Sequence, residues 1–465
     1  MNAIVDSPQG SPVVNVNAVL DTARFGAAQL TVLAFTFFTL VMDGFDIQAI
    51  AFTAPALTEA WGIERSSLGP VLAAALLGMA LGAAGIGSFG DRSGRKTALV
   101  ASCALMAVGS AASALATGPT ELAIYRFITG IGLGGAMPNA TALMYEFAPR
   151  KWRQFATAFA LVGVPLGGML GAAVARWLVP NHGWQMLFII GGLIPALLGV
   201  AMWVGLPESP RFLSSRTERS GELARLLGRI TGGAEQFAST ARFAADAAGQ
   251  APKSTVGALF TPEYRRDTLV LWLIFFTNVF SVYFFWNWLP TVLAAASLSF
   301  QISVTGSLYF NLGGVPGALV GSLLTGRFGS RKVLVFAGLA TLLSVVSIGL
   351  NGVFTGTGGS VTALMWSMAA AGCFINMLQI GMFAVAANVY PTYCRSTGVG
   401  WGLGIARFGG IFSAFAGAGF FALGFAPRDF FFVIAGVLAI TLIGVAILRR
   451  HIPPHQQGSS HDIAH

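Results

Sequence analysis

Charge is what this chain has least of. Asp, Glu, Lys and Arg make up 10% of its 465 residues, where soluble domains carry roughly a quarter, and that shortage excludes the soluble classes. Cysteine is as scarce. Cys103, Cys373 and Cys394 are the only three, and they lack the spacing of a metal site or a disulfide frame, so none is expected to pair. Histidine occurs five times, mostly in the C-terminal tail, and no nucleophile or metal constellation lies in the spans, so an enzyme is not expected. The N-terminus has no basic stretch leading into a short apolar one. That argues against a cleaved signal peptide and keeps this end in the cytoplasm.

Apolar residues are what fill the chain, at 55%, with 59 glycines and 37 phenylalanines. A bilayer is crossed by roughly 20 apolar residues in a helix, and twelve runs of about that length recur. They are expected near 29–57, 66–89, 97–117, 121–147, 155–178, 186–206, 269–292, 303–326, 333–351, 361–388, 397–423 and 430–448. Lys and Arg fix the orientation, because cytoplasmic loops retain them. With the N-terminus inside, twenty-two of the 27 fall in cytoplasmic segments, among them "DRSGRK" and "PRKWR". The net charge of +9 is therefore a topology signal, not a nucleic-acid footprint.

The expected organisation is a cytoplasmic tail at 1–27, a six-helix bundle at 28–206, a cytoplasmic linker at 207–268, a second bundle at 269–450 and a tail at 451–465. Within the linker, "RTERSGELARLLGRI" reads as a short amphipathic surface helix, followed by a Gly/Ala-rich stretch. The halves echo one another. "GSFGDRSGRK" answers "GSLLTGRFGSRK", "EFAPRKWR" answers "NVYPTYCR" (Pro149 over Pro391, Arg153 over Arg395), and Pro55 falls over Pro290. Two such halves around a site at mid-membrane depth are the plan of many secondary transporters.

Against that background, "MDGFD" in the first span stands out, since a carboxylate in mid-membrane costs about 2.5–3.5 kcal/mol. Asp43 and Asp46 share one helical face, with Gly44 between them to permit a bend or a close approach. The repeat places Asn278 and Ser281 at the corresponding positions, so the helix can be built without either acid, and a functional role is the favoured reading. Burial and a like-charged neighbour both penalise the ionised form. The pair is therefore read as a proton-carrying site, with a structural ion pair to an arginine of another span as the bland alternative.

Arg126 and Arg407 are the complementary cations, buried in spans four and eleven without a charged neighbour in sequence. Each needs an anionic partner or an anionic substrate, and a guanidinium matches a carboxylate with two parallel hydrogen bonds. Arg126 could equally serve only to neutralise the aspartates. Tyr283, Trp286 and Trp401 are candidates to stack on an aromatic ring, against the plainer reading that they face lipid or other helices. Glu146 suits a pairing with Arg92 or Arg95 at an inner gate, and "GDRSGRK", with Asp91, suits a latch between helices. "TGIGLGGA" contains GxGxxG but lies within a membrane span, so close helix packing is expected, not nucleotide binding.

"GDRSGRK", "YRFITGIGLGG" and "LPESPRFL" together resemble the major facilitator superfamily over about residues 28–450. "DGFD" and "CRSTGVGWGLGIARFGG" resemble the aromatic acid:proton symporter family within it. The resemblance implies an all-α integral membrane protein of twelve helices in two pseudo-symmetric six-helix bundles. It implies uptake of a hydroxybenzoate- or protocatechuate-like carboxylate with protons across a bacterial inner membrane, by alternating access and without a cofactor. The essential residues it implies fall on Asp43, Asp46, Gly87, Asp91, Gly94, Arg126, Glu146, Arg395 and Arg407. Gly326 departs from the pattern, standing where the family often has an acid in the 8–9 loop, which puts a symmetric second-half latch in doubt. Nothing in the sequence demands more than a monomer. A sugar or polyol:proton symporter would not need the buried arginines, and a proton-driven drug antiporter would fit the acidic pair but not Arg126 and Arg407. A sensor with a transporter fold would need a large soluble domain that this chain lacks.

Overall fold

With no water in hydrocarbon, a spanning chain must satisfy its backbone internally, and helices do so segment by segment. The computed structural model describes residues 4–6, 12–231, 242–244, 256–391 and 394–453. The ends of both expected tails and most of the Gly/Ala-rich part of the linker lie outside the described residues.

After a short α1 (Val16–Thr22), the first half runs through α2 (Ala27–Trp61), α3 (Gly69–Ser93), α4 (Arg95–Ser113), α5 (Pro119–Phe147), α6 (Arg153–Leu161), α7 (Gly163–His182) and α8 (Gln185–Gly205). The linker contributes α9 (Pro210–Ser214) and α10 (Ser220–Thr231). The second half comprises α11 (Arg265–Ala295), α12 (Phe300–Phe328), α13 (Ser330–Gly349), α14 (Val361–Val389), α15 (Arg395–Ala422) and α16 (Pro427–Ile447). Among the described residues eleven segments are long and apolar enough to cross a membrane. α5 holds the twelfth place, its 29 residues diluted by Glu121, Arg126, Asn139, Glu146 and its glycines. Val204 (81% exposed) and Leu323 (75%) typify the apolar outer faces, which suit lipid and would be a liability in water.

Two features differ from the sequence reading. The fifth span, expected as one helix over 155–178, is two helices meeting at Val162, where Gly163 packs against Phe37 and Leu40 of α2. Three short strands, β1 (Ile4–Asp6), β2 (Pro12–Asn15) and β3 (Arg242–Ala244), form a small sheet in that order. The amphipathic helix appears as α10, which buries Leu223, Leu226, Leu227 and Ile230 in one cluster with Val16, Val19 and Leu20 of α1.

Contacts divide the chain into two compact units, one of residues 1–49, 74–171 and 178–251, the other of 50–73, 172–177 and 252–465. Each is locked by glycines that admit a neighbouring backbone. In the first, a Cβ on Gly78, Gly82, Gly130 or Gly134 would overlap the facing main chain where α3 meets α5. In the second, Gly313, Gly317 and Gly372 do the same between α12 and α14. Gly167 of α7 lies on the Val41 carbonyl, as Gly409 of α15 lies on that of Phe276. The "TGIGLGGA" glycines are thus packing residues, and the repeat extends to the level of single backbone contacts.

Candidate functional site

Asp43 and Asp46 sit on α2 at 3% and 1% exposure. Gly44 lets the α7 backbone in, since any Cβ there would strike the main chain of Val164. The Asp46 carboxylate is held at both oxygens. Ser110 of α4 donates to Oδ1 at 2.8 Å, and Arg126 Nη1 of α5 lies 3.2 Å from Oδ2.

Arg126 is engaged on every side. Its Nε donates to Ser113 Oγ at 3.0 Å and its Nη2 to Thr129 Oγ1 at 2.9 Å, and its guanidinium lies 4.9 Å from the Phe188 ring centroid. Gly191 of α8 leaves room for this cluster, because a Cβ there would come within 2.8 Å of Ser110 Oγ. Desolvating both ions is offset only because each finds a charge and hydroxyl partners together. Sequence reasoning found the three charges. It missed Ser110, Ser113, Thr129 and Gly191, which carry no local signal.

Arg407 has the opposite surroundings. It is half-buried on α15, and among the described residues it has no hydrogen-bond, ion-pair or ring partner. Tyr283 and Trp286 of α11 stack edge to face with centroids 5.1 Å apart, and Tyr283 packs on Gly410. Trp401 is elsewhere. It is 45% exposed and stacks on Trp272, which precedes Tyr283 by eleven residues of α11, about 16 Å of helix.

The 2–3 turn forms a second cluster, at the basic-loop end of the first unit. Gly94, at φ +101°, lies against the Glu208 carboxylate, whose Oε1 accepts from Lys96 N at 3.1 Å and Ser209 N at 2.8 Å. Arg95 bonds Asp91, donates to Asn139 Oδ1 at 3.3 Å and lies 3.7 Å from Glu146, which also accepts from Ser209 Oγ. Of the two arginines offered as partners for Glu146, the structure brings Arg95. Arg92 enters through its carbonyl, which accepts from Arg216 at 3.0 Å. Space is open at Gly87, whereas a Cβ on Gly90 would overlap Asn139. Glu208 and Ser209 were not anticipated as latch residues, although "LPESPRFL" contains them.

The repeat returns in detail at this end. Arg153 Nε donates to the Ala148 carbonyl at 3.3 Å, and Arg395 Nε to that of Tyr390 at 3.3 Å. The chain leaving α8 brings Glu208 to the start of α4, and the chain leaving α16 brings Ile452 to the start of α13. There Ser330 N donates to Ile452 O at 2.9 Å and Ile452 N to Ser330 Oγ at 2.8 Å. The charges are inverted, since Arg450 bonds Glu263 at 2.7 Å and Arg449 N donates to Asp267 at 3.2 Å. These acids and bases come from the start of α11 and the segment after α16, and not from the 8–9 loop that holds Gly326. The Arg450 bond holds Glu263 below the usual carboxylate range, and burial, with Arg331 nearby, pushes the His451 imidazole below its own.

Comparison with known proteins shows the family. A family model described as Major Facilitator Superfamily matches residues 36–350. The chain is 35% identical over 450 residues to the gallate transporter of Pseudomonas putida, covering 96% of this chain and 97% of that one. It is 37% identical over 442 residues to the 4-hydroxybenzoate transporter PcaK of Pseudomonas aeruginosa, covering 95% and 97%. In fold it is similar to the inward-open xylose transporter XylE from E. coli, with a TM-score of 0.69 at 18% identity over 91% of this chain and 97% of that one.

Proposed function

The chain belongs to the major facilitator superfamily, and from that membership we propose that it imports an aromatic carboxylate together with protons across a bacterial inner membrane. It is a multi-pass transporter and not an enzyme. The observation that carries the proposal is the division of labour between two cations in the spans, Arg126 buried and Arg407 half-buried. Arg126 is committed to Asp46, while Arg407 has no partner among the described residues, so Arg407 is the group with charge to offer a substrate carboxylate. Relatives that span nearly the whole chain carry gallate and 4-hydroxybenzoate, which supports an aromatic ring on that carboxylate.

Asp43 and Asp46 take the proton in this scheme. Protonating Asp46 weakens its hold on Arg126, and a joint whose ion pair forms and breaks with proton load is a switch between states of an alternating-access cycle. Tyr283 and Trp286 offer ring faces on the unit that holds Arg407. The Arg95–Asp91–Glu146–Glu208 cluster in the first unit and Arg395 in the second are proposed to gate.

The test is uptake of radiolabelled 4-hydroxybenzoate, protocatechuate, vanillate, gentisate and glucose, each with and without a protonophore, beside Asp43→Asn and Arg407→Ala. One acid should accumulate in a protonophore-sensitive way, and both variants should lose at least tenfold. Glucose uptake, or acid uptake indifferent to Asp43→Asn, would reopen the assignment.

A further inference from the structure

We propose that Asn278 reads a hydroxyl group on the substrate ring and so sets preference among aromatic carboxylates; this rests on the carboxylate-import reading above and deepens it. Asn278 lies midway along α11 at 0% exposure. Its Nδ2 donates to Gln379 Oε1 of α14 at 2.7 Å, which fixes the side chain. Its Oδ1 has no hydrogen-bond partner among the described residues. A buried amide oxygen left without a donor is uncommon in a folded protein, because the desolvated group costs free energy until something donates to it.

The chemistry of the missing donor is constrained. Oδ1 repels a carboxylate and gains nothing from a bare ring edge. A phenolic hydroxyl fits, and since it both donates and accepts it satisfies the amide in either orientation of its O and N atoms. The repeat points the same way. Asn278 stands where the first half has Asp43, and Met368, four residues before Gly372, stands where it has Arg126, four before Gly130. The second-half joint is thus built to meet a neutral polar group. Ser281, the counterpart of Asp46, bonds its own helix at the Thr277 carbonyl, so of the two positions Asn278 retains the available atom.

A site built to bond a hydroxyl discriminates against analogues that lack it, since its own polar group is then left unpaired. Competition against the best substrate, using benzoate and its 2-, 3- and 4-hydroxy and 4-methoxy derivatives, reads this in the wild-type chain. At least one hydroxylated ring should compete about tenfold better than benzoate, the step expected when one buried amide goes unpaired. Asn278→Leu and Asn278→Ala should erase that ratio while benzoate is still carried. Gln379→Leu breaks the same helix–helix bond but keeps the Asn278 amide itself, so it should lower uptake of all substrates and reduce the ratio without erasing it. A wild-type chain that carries benzoate and its hydroxy derivatives equally well would overturn the inference and leave the import reading standing, as would an unchanged ratio in the Asn278 variants. Failure to carry any aromatic acid would remove the import reading itself, and this inference with it. Should neither Asn278 variant reach the membrane, the wild-type ratio decides.

Discussion

Two arginines of the same type, in the same kind of helix, are predicted to respond to substitution in opposite ways. Arg126 neutralises Asp46 at 1% exposure on both sides, and removing one member of a buried pair leaves an uncompensated charge, worth about 3–5 kcal/mol. Arg126→Met should therefore lower the thermal stability of the purified protein sharply. Adding Asp46→Asn should restore part of the loss, because the stranded carboxylate is gone. Arg407→Gln removes a cation with no partner among the described residues, so stability should hold or rise while uptake fails. A stability loss in Arg407→Gln as large as that in Arg126→Met would mean Arg407 has a structural counter-ion. The charges themselves were legible in the sequence, since ionisable side chains such as Asp43, Asp46, Arg126 and Arg407 stand out in apolar spans. Which arginine was taken was not legible. The choice depends on Ser110, Ser113, Thr129 and Gly191 meeting around one carboxylate, and serines and threonines elsewhere in these helices bond their own preceding turn, as Thr36 and Thr325 do.

Among the elements, the segment after α16 was read as the end of the second bundle, to 450, and the start of a cytoplasmic tail, from 451, and it clasps the second unit. Arg449, Arg450 and Ile452 bond Asp267, Glu263 and Ser330, and the Asn388 amide donates to the His451 carbonyl. The sequence hid this because four residues, "RRHI", carry no periodicity. The helices themselves were visible, since membrane spans announce themselves by length. The break at Val162 was not, because nothing in the local apolar pattern marks where Gly163 meets α2. The clasp should respond to pH. Burial lowers the His451 imidazole below its ordinary value of about 6.5, so an undocked strand binds more protons than a docked one. Docking is then complete above that ordinary value and weakens as pH falls through the lowered one. A cysteine at Ile452 should react with a maleimide faster as pH drops from 7.5 to 5 than the reagent's own pH profile allows, and His451→Gln should flatten the excess. Identical profiles in the two would show that the imidazole does not govern docking. Asp267→Asn should raise the reactivity at every pH, because the Arg449 N–H loses a charged acceptor and Arg450 keeps only Glu263.

At the scale of the whole molecule, the two halves share their packing and differ in their charges. The glycine locks recur at matching positions, Gly78 and Gly82 answering Gly313 and Gly317, and Gly130 answering Gly372. Substituting alanine at Gly82 or at Gly317 should accordingly destabilise to a similar extent, about 1–3 kcal/mol of overpacking each. Gly87→Ala, into open space, should leave stability unchanged. The charged joint follows no such symmetry, with Asp43, Asp46 and Arg126 opposite Asn278, Ser281 and Met368, and Arg407 opposite Pro165. A duplicated scaffold whose second copy packs without the ions shows that the helices do not need them. The first half can therefore be rewritten with the second half's own residues, as Asp43→Asn, Asp46→Ser and Arg126→Met together. All three charges leave at once, so no ion is stranded, and the chain should fold and reach the membrane at near wild-type levels. What it should lose is accumulation driven by the proton gradient, while exchange of labelled for unlabelled substrate, which needs no net proton flux, should fall less. Misfolding of the triple variant would make the ion pair an architectural element, and protonophore-sensitive accumulation in a well-folded one would place proton coupling outside the first-half joint.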